Sequence, residues 1–139
     1  MKNKPCVLVC VTEQMNCDRL IEAGRAIADI KNEELKVLCV PQLAEGKCII
    51  SAEVEYLYQT SKKYGAEMRI VFHDKAPYVA VDYAKQIHAE RIVTGMPDDR
   101  LNGFIVMVRN LAPSLTISMV SKDGKIYNMY AQNRKMINV

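Results

Sequence analysis

Apolar residues in this chain fall into short blocks of two different periods, and the blocks alternate. Cys6-Val-Leu-Val-Cys-Val-Thr12 is nearly all apolar and rich in valine, the pattern of a strand covered on both faces. After the polar stretch 13–16, the run from Cys17 to Ile30 places Leu20, Ala23 or Gly24, Ile27 and Ile30 at helical spacing, with Asn16 as a candidate N-cap. Leu35 to Val40 reads as a second strand, which Pro41 ends because proline lacks the donor that a central strand requires. Ser51 then caps a predicted helix through Tyr64, in which Val54, Leu57, Tyr58 and Ser61 share a face and Gly65 closes the last turn.

The same alternation continues. Met68 to Phe72 forms a third strand, and Pro77 sits in the first turn of a helix that runs to about His88 with Ala80, Ala84 and Ile87 inward. Arg91 to Thr94 is the fourth strand. Gly95 opens a loop, after which Phe104, Ile105, Val108 and Leu111 repeat at helical spacing until Ala112-Pro113, and Leu115 to Val120 makes strand five. Strands separated by helices of this length need crossover connections, and right-handed crossovers bury a parallel sheet between two helical layers. The expected fold class is therefore α/β, a doubly wound, five-stranded parallel sheet with helices on both faces.

The C-terminal stretch differs. Ser121-Lys-Asp-Gly-Lys125 is a turn of the Asp-Gly kind, and Ile126 to Tyr130 reads as a short strand returning antiparallel to strand five, a hairpin extension of the sheet. An exposed edge strand invites a second chain. The expectation is a homodimer formed through the strand-five edge or through the tail 121–139, the alternative being that the tail covers that edge. No linker-like stretch and no internal repeat divides the chain, so residues 1–139 are expected to form one domain with its core at about 5–120.

Composition narrows the partners. The 19 basic and 16 acidic residues leave a net charge of +3, spread along the chain, so counterion release from nucleic acid offers little driving force. No apolar run approaches the roughly 20 residues needed to span a bilayer, and Met1-Lys-Asn-Lys-Pro5 leads straight into strand one without a cleavable signal pattern. A cytoplasmic protein that binds neither membrane nor nucleic acid is expected. Cys6, Cys10, Cys17, Cys39 and Cys48 are odd in number and form no C-x-x-C pair, which points to reduced thiols and away from disulfides or structural zinc. Cys17, near the start of the first helix, is either a thiol activated by the helix dipole or plain core. His73 and His88 stand in no metal-ligand motif.

In an open parallel sheet, ligands bind beyond the carboxyl ends of the strands, where strand order reverses. Those ends are Thr12, Val40 and Gly95. The loop from Gly95 and Met96 to Asn102 and Gly103 ends at a helix N-terminus, which favours an anion, although ordinary capping explains the same residues. Asp98 and Asp99 read as a solvated turn or as a Mg²⁺ site beside a phosphate; without a metal they would repel one.

Arg91-Ile-Val-Thr-Gly95, the loop, Asn102-Gly103, an amphipathic helix and Ala112-Pro113 before a last strand resemble the universal stress protein family over roughly residues 5–120. The segment Tyr83-Ala-Lys-Gln-Ile-His-Ala-Glu-Arg-Ile-Val-Thr-Gly95 is similar to the family's approach to its nucleotide loop. The resemblance implies strand order 3-2-1-4-5, an adenine nucleotide alpha hydrolase-like fold, frequent dimers and, in some members, an adenine nucleotide such as ATP between strands one, two and four. This chain departs from the binding pattern. Thr12 stands where nucleotide-binding members carry aspartate, Asp98 replaces the second motif glycine, and Asn102-Gly103 replaces a Gly-Ser or Gly-Thr pair. Thr12 and the polar turn after it are closer to the universal-stress-like domain of KdpD sensor kinases.

The sequence supplies no nucleophile elbow, P-loop or complete G-x-G-x-x-G. The expected function is that of a non-catalytic stress-response or signalling domain, with Thr12, Val40, Gly95, Met96, Asn102 and Gly103 as a nucleotide or anion site that binds weakly or not at all. The alternative is a dimerisation or protein-interaction module with an unidentified protein partner and a vestigial pocket.

Overall fold

A computed structural model of the chain describes residues 4–97 and 103–131. Its elements follow the alternation in order: β1 (Cys6–Val11), α1 (Asp18–Lys31), β2 (Glu34–Cys39), α2 (Ala52–Lys63), β3 (Glu67–Ile70), α3 (Ala76–Gln86), β4 (Ala89–Gly95), α4 (Gly103–Leu111), β5 (Thr116–Val120) and β6 (Ile126–Met129). The strands form one sheet in the order β3-β2-β1-β4-β5-β6. The first five are parallel, and β6 returns antiparallel on β5, with Ser118 opposite Asn128. The expected 3-2-1-4-5 core with a C-terminal hairpin is thus what the chain forms.

All six residues of β1 are buried, and their alternation feeds two cores. Val7, Val9 and Val11 meet Leu20 and Ile21 of α1 and Val54 and Leu57 of α2 on one face. Leu8 and Cys10 meet Ala80 and Ala84 of α3 and Ile105 and Val108 of α4 on the other. Two helices on each face leave no exposed face to β1, which is why its sequence shows no polar alternation.

Local chemistry sets the element ends. Ser51 caps α2, its hydroxyl accepting from the Val54 N–H at 3.2 Å, and Gly65 takes the left-handed conformation (φ 71°) just past that helix. The start of α1 differs from expectation. Met15–Cys17 form a 3-10 turn, and α1 begins at Asp18 without a side-chain cap, so Asn16 is not its N-cap and Cys17 precedes its first turn. The inward face of α1 also lies elsewhere: Leu20, Ile21, Gly24 and Ala28 are buried while Ile30 is 85% exposed. At 3.6 residues per turn, Ile27, Ala23 and Ile30 lie increasingly far off that arc, on the flank. Strand β4 begins earlier than read because His88 (φ 59°) turns the chain immediately before Ala89.

The described part of the tail pairs with the sheet. Residues 126–129 occupy the outer edge of β5, so among the described residues the outermost strand on that side is β6. None of the described helices is long and apolar enough to cross a membrane.

All five cysteines are free, and only Cys48 is exposed. Burial pushes the Cys10 and Cys39 thiols up to about 12 and Cys6 up to about 11. Glu13 and Cys17 raise Cys39 further, whereas Lys36 offsets part of the effect on Cys6.

Two expectations follow from these packings. In Gly24→Ala the new Cβ would stand 2.3 Å from Val9 Cγ2 and 3.0 Å from Leu35 Cδ1. Overpacking of about 1–3 kcal/mol should exceed the roughly 1 kcal/mol gained in helix propensity, lowering the urea midpoint; an unchanged or higher midpoint would show that Val9 yields. The raised thiols keep their protons in the fold while the unfolded chain loses its own near 9.0, so the unfolded state binds fewer protons above that pH. Stability should fall as pH rises from about 9 to about 12, measured as urea midpoints, with a shallower fall in Cys10→Ala. Equal slopes would remove Cys10 from that account.

Candidate ligand site at the switch point of the sheet

Strand order reverses between β1 and β4, because the chain winds outward from β1 through β2 to β3 and then returns to β4 on the other side. The crossovers leave in opposite directions there, and a crevice opens at the carboxyl ends of the strands. In this chain the crevice is a cavity of about 220 Å³ lined by Cys10, Val11, Thr12, Leu38, Val40, Ala76, Ala80, Thr94 and Phe104. It lies on the α3–α4 face of the sheet.

Each wall has a local cause. Residues two apart on a strand share a face, so Cys10 and Thr12 line the cavity together, as do Leu38 and Val40 from β2 and its exit. Thr94, next to the last residue of β4, supplies a third strand end. Pro77 starts α3 in its first turn, and Ala76 and Ala80, four apart on that helix, present small side chains that keep the cavity open. Phe104, the second residue of α4, contributes an aromatic ring.

The chemistry is apolar with two hydroxyls. Thr12 Oγ1 lies 3.4 Å from Cys17 Sγ, a contact that holds the 3-10 turn against the exit of β1. The Cys10 thiol, pushed up to about 12 by burial, presents itself protonated. None of the lining side chains carries a formal charge. Such a lining suits a flat, weakly polar group better than an anion.

The residues expected from sequence divide into three sets. Thr12 and Val40 come together in the cavity wall. Gly95 and Met96 do not line it: a Cβ on Gly95 would meet Arg19 Nη2 at 3.6 Å and Leu20 Cδ1 at 4.0 Å on the α1 face, while the Met96 N–H donates to the Val120 carbonyl at 2.9 Å. Those contacts leave room for a side chain at 95, so close approach does not demand glycine there. Gly103 opens α4, is exposed and has open space around it. Asn102, with Asp98 and Asp99, lies outside the described residues. His73 donates nothing to the cavity; its Nδ1 accepts from the Lys75 N–H at 2.9 Å.

Leu38, Ala76, Ala80, Thr94 and Phe104 were not singled out from sequence as site residues. The available signal was the pair of small residues at helical spacing just inside the start of a helix that follows a strand exit. Its meaning depended on strand order, which places α3 beside β1.

No protein-family model matches the chain, and no curated protein matches it. Among solved structures, the universal stress protein from Archaeoglobus fulgidus in complex with dAMP superposes with a TM-score of 0.56 at 17% identity, over 77% of this chain and 90% of that one. A universal stress protein in complex with cAMP gives 0.59 at 18% identity, over 78% and 90%. A triple-mutant deacetylase of the teicoplanin biosynthetic pathway gives 0.59 at 9% identity, over 84% of this chain and 63% of that one. At such identities the likeness is one of fold. This chain has the doubly wound fold seen in universal stress proteins, and a deacetylase shares enough of that fold that the architecture alone does not separate binding from catalysis.

Proposed function

We propose that residues 1–139 form a single regulatory or stress-response domain of the universal stress protein type, which binds a nucleotide-like ligand weakly and does no chemistry on it. The observation that carries this reading is the uncharged, largely apolar cavity at the ends of β1, β2 and β4, placed where a doubly wound sheet receives its ligands. A heteroaromatic base fits between the aliphatic wall of Val40 and Ala80 and the ring of Phe104, with Thr12 and Thr94 offering hydrogen bonds to its edge. The complexes of neighbouring folds with dAMP and cAMP support an adenine nucleotide as the ligand class.

Low affinity follows from the same lining. The cavity supplies burial but no charged partner for a ribose or a phosphate, and a protonated thiol is a poor nucleophile. Thr12, where nucleotide-binding relatives carry aspartate, supports the likeness to the universal-stress-like domain of KdpD sensor kinases. The free, largely buried cysteines fit a reducing, cytoplasmic setting.

A second reading rests on β6. Ile126, Tyr127 and Tyr130 are exposed on or beside this strand, the outermost among the described residues, so its edge offers a surface to a second copy or a protein partner while the pocket is vestigial.

Titrating the ¹⁵N-labelled protein with AMP, ATP and cyclic AMP tests the first reading. Resonances of Thr12, Val40, Thr94 and Phe104 should shift with millimolar affinity, worth about 4 kcal/mol. Ala76→Phe, which fills the cavity from the start of α3, should abolish the shifts while leaving the fold intact by circular dichroism. No shift with any of the three nucleotides ends the ligand proposal. Light scattering over a range of concentrations tests the second reading in its self-pairing form, which fails if the protein stays monomeric throughout.

A further inference from the structure

The opposite face of the same sheet carries a polar cluster that the cavity does not use. Helices α1 and α2 pack on β1, β2, β3 and β4, and Arg91, Ser118 and Asn128 stand side by side on that face across β4, β5 and β6. Arg91 Nη1 donates to Ser118 Oγ at 2.5 Å and to Asn128 Oδ1 at 3.1 Å. Ser118, with no exposed surface, donates in turn to Asn128 Oδ1 at 2.6 Å. Two donors converging on one atom fix the orientation of the Asn128 amide, whose Nδ2 then donates to the Tyr130 hydroxyl at 3.3 Å.

The cluster is rich in donors and short of acceptors. Arg91 brings five N–H groups, but only Nη1 finds partners among the described residues, and Nε is enclosed without one. The oxygens that meet the guanidinium are neutral. No carboxylate among the described residues forms an ion pair with it, in contrast to Arg25, which holds Asp29 at 3.0 Å. Arg69 is satisfied differently, by the Tyr83 ring at 4.7 Å. A half-buried cation surrounded by neutral dipoles lacks its counter-charge, and the hydroxyl of Tyr130, 65% exposed, accepts from Asn128 and keeps its own proton to donate.

We propose that this face of the sheet is an oxyanion-binding site, in which Arg91, supported by Ser118 and Asn128 and flanked by the Tyr130 hydroxyl, receives a carboxylate or phosphate group of a small ligand. Ser118 and Asn128 act as positioning residues: they hold Nη1 of the guanidinium to the sheet and so fix the plane in which its other N–H groups lie. The site lies across the sheet from the cavity and stands or falls independently of it.

The test follows the side-chain signals of Arg91 Nε–H and Asn128 Nδ2–H₂ by NMR during titration with sodium phosphate, sodium acetate and sodium chloride at constant ionic strength. Saturable shifts with phosphate, acetate or both, and none with chloride, are expected; a response to one alone identifies the phosphate or the carboxylate as the group received. Arg91→Met and Asn128→Ala should weaken the binding about tenfold or more, Tyr130→Phe less, and Ala76→Phe not at all. Should Arg91→Met fail to fold, Asn128→Ala and Tyr130→Phe, both at exposed positions, carry the comparison. The absence of saturable shifts with both oxyanions overturns the proposal, as do folded Asn128→Ala and Tyr130→Phe variants that both bind like the parent protein.

Discussion

Because Cys6–Val11 bury every side chain, alternately on both faces of the sheet, β1 can have no bare face, and its central place in the strand order leaves it no free edge. That requirement organises the molecule. It calls for a strand on each side, met by β2 and β4, and for a helical layer above and below, met by α1 with α2 and by α3 with α4. Satisfying both with right-handed crossovers sends the chain outward from β1 in one direction and then back past it in the other. The crevice at the strand ends results from that reversal, and Cys10, Thr12, Val40 and Thr94 line it because their strands end there.

Much of this could be read from the chain because burial on two faces leaves a plain mark, an apolar run without polar alternation. The helices were legible by their period, and Ser51 and Gly65 by their cap chemistry. What could not be read depends on neighbours far away in sequence. Ile30 has the spacing of a core residue but sits on the flank of α1, since the arc that faces the sheet is centred on Gly24 and Ala28, where Val9 and Leu35 press closest. Gly95 matches a nucleotide motif in one dimension, yet in three it faces Arg19 across the sheet from the cavity. Ala76, Ala80 and Phe104 acquire a role only once α3 and α4 are known to lie beside β1 and β4.

The two faces of the β4–β5 half of the sheet also differ in kind. Toward α3 and α4, Ile92, Ile117 and Met119 complete an apolar core. Toward the other face, Arg91 and Ser118 bind each other and Asn128. On that same face Val93 and Val120 still join the core under α1 and α2, so the polar side chains are confined to one part of it, in contrast to β1. The antiparallel return of β6 completes this polar side, because Asn128 reaches Ser118 only when β6 lies against β5 in the observed register.

The pairing of β1 with β4 has a consequence for the order in which the molecule can assemble. Val7 lies beside Leu35 on one side but beside Arg91 on the other. During synthesis, which supplies about 5–20 residues each second, β2 can join β1 early, while the opposite edge of β1 stays open until the chain has been extended past β4. For that interval of several seconds the most apolar strand of the protein presents unpaired backbone groups. The strand that the finished protein buries completely thus carries an open edge while the chain is being made.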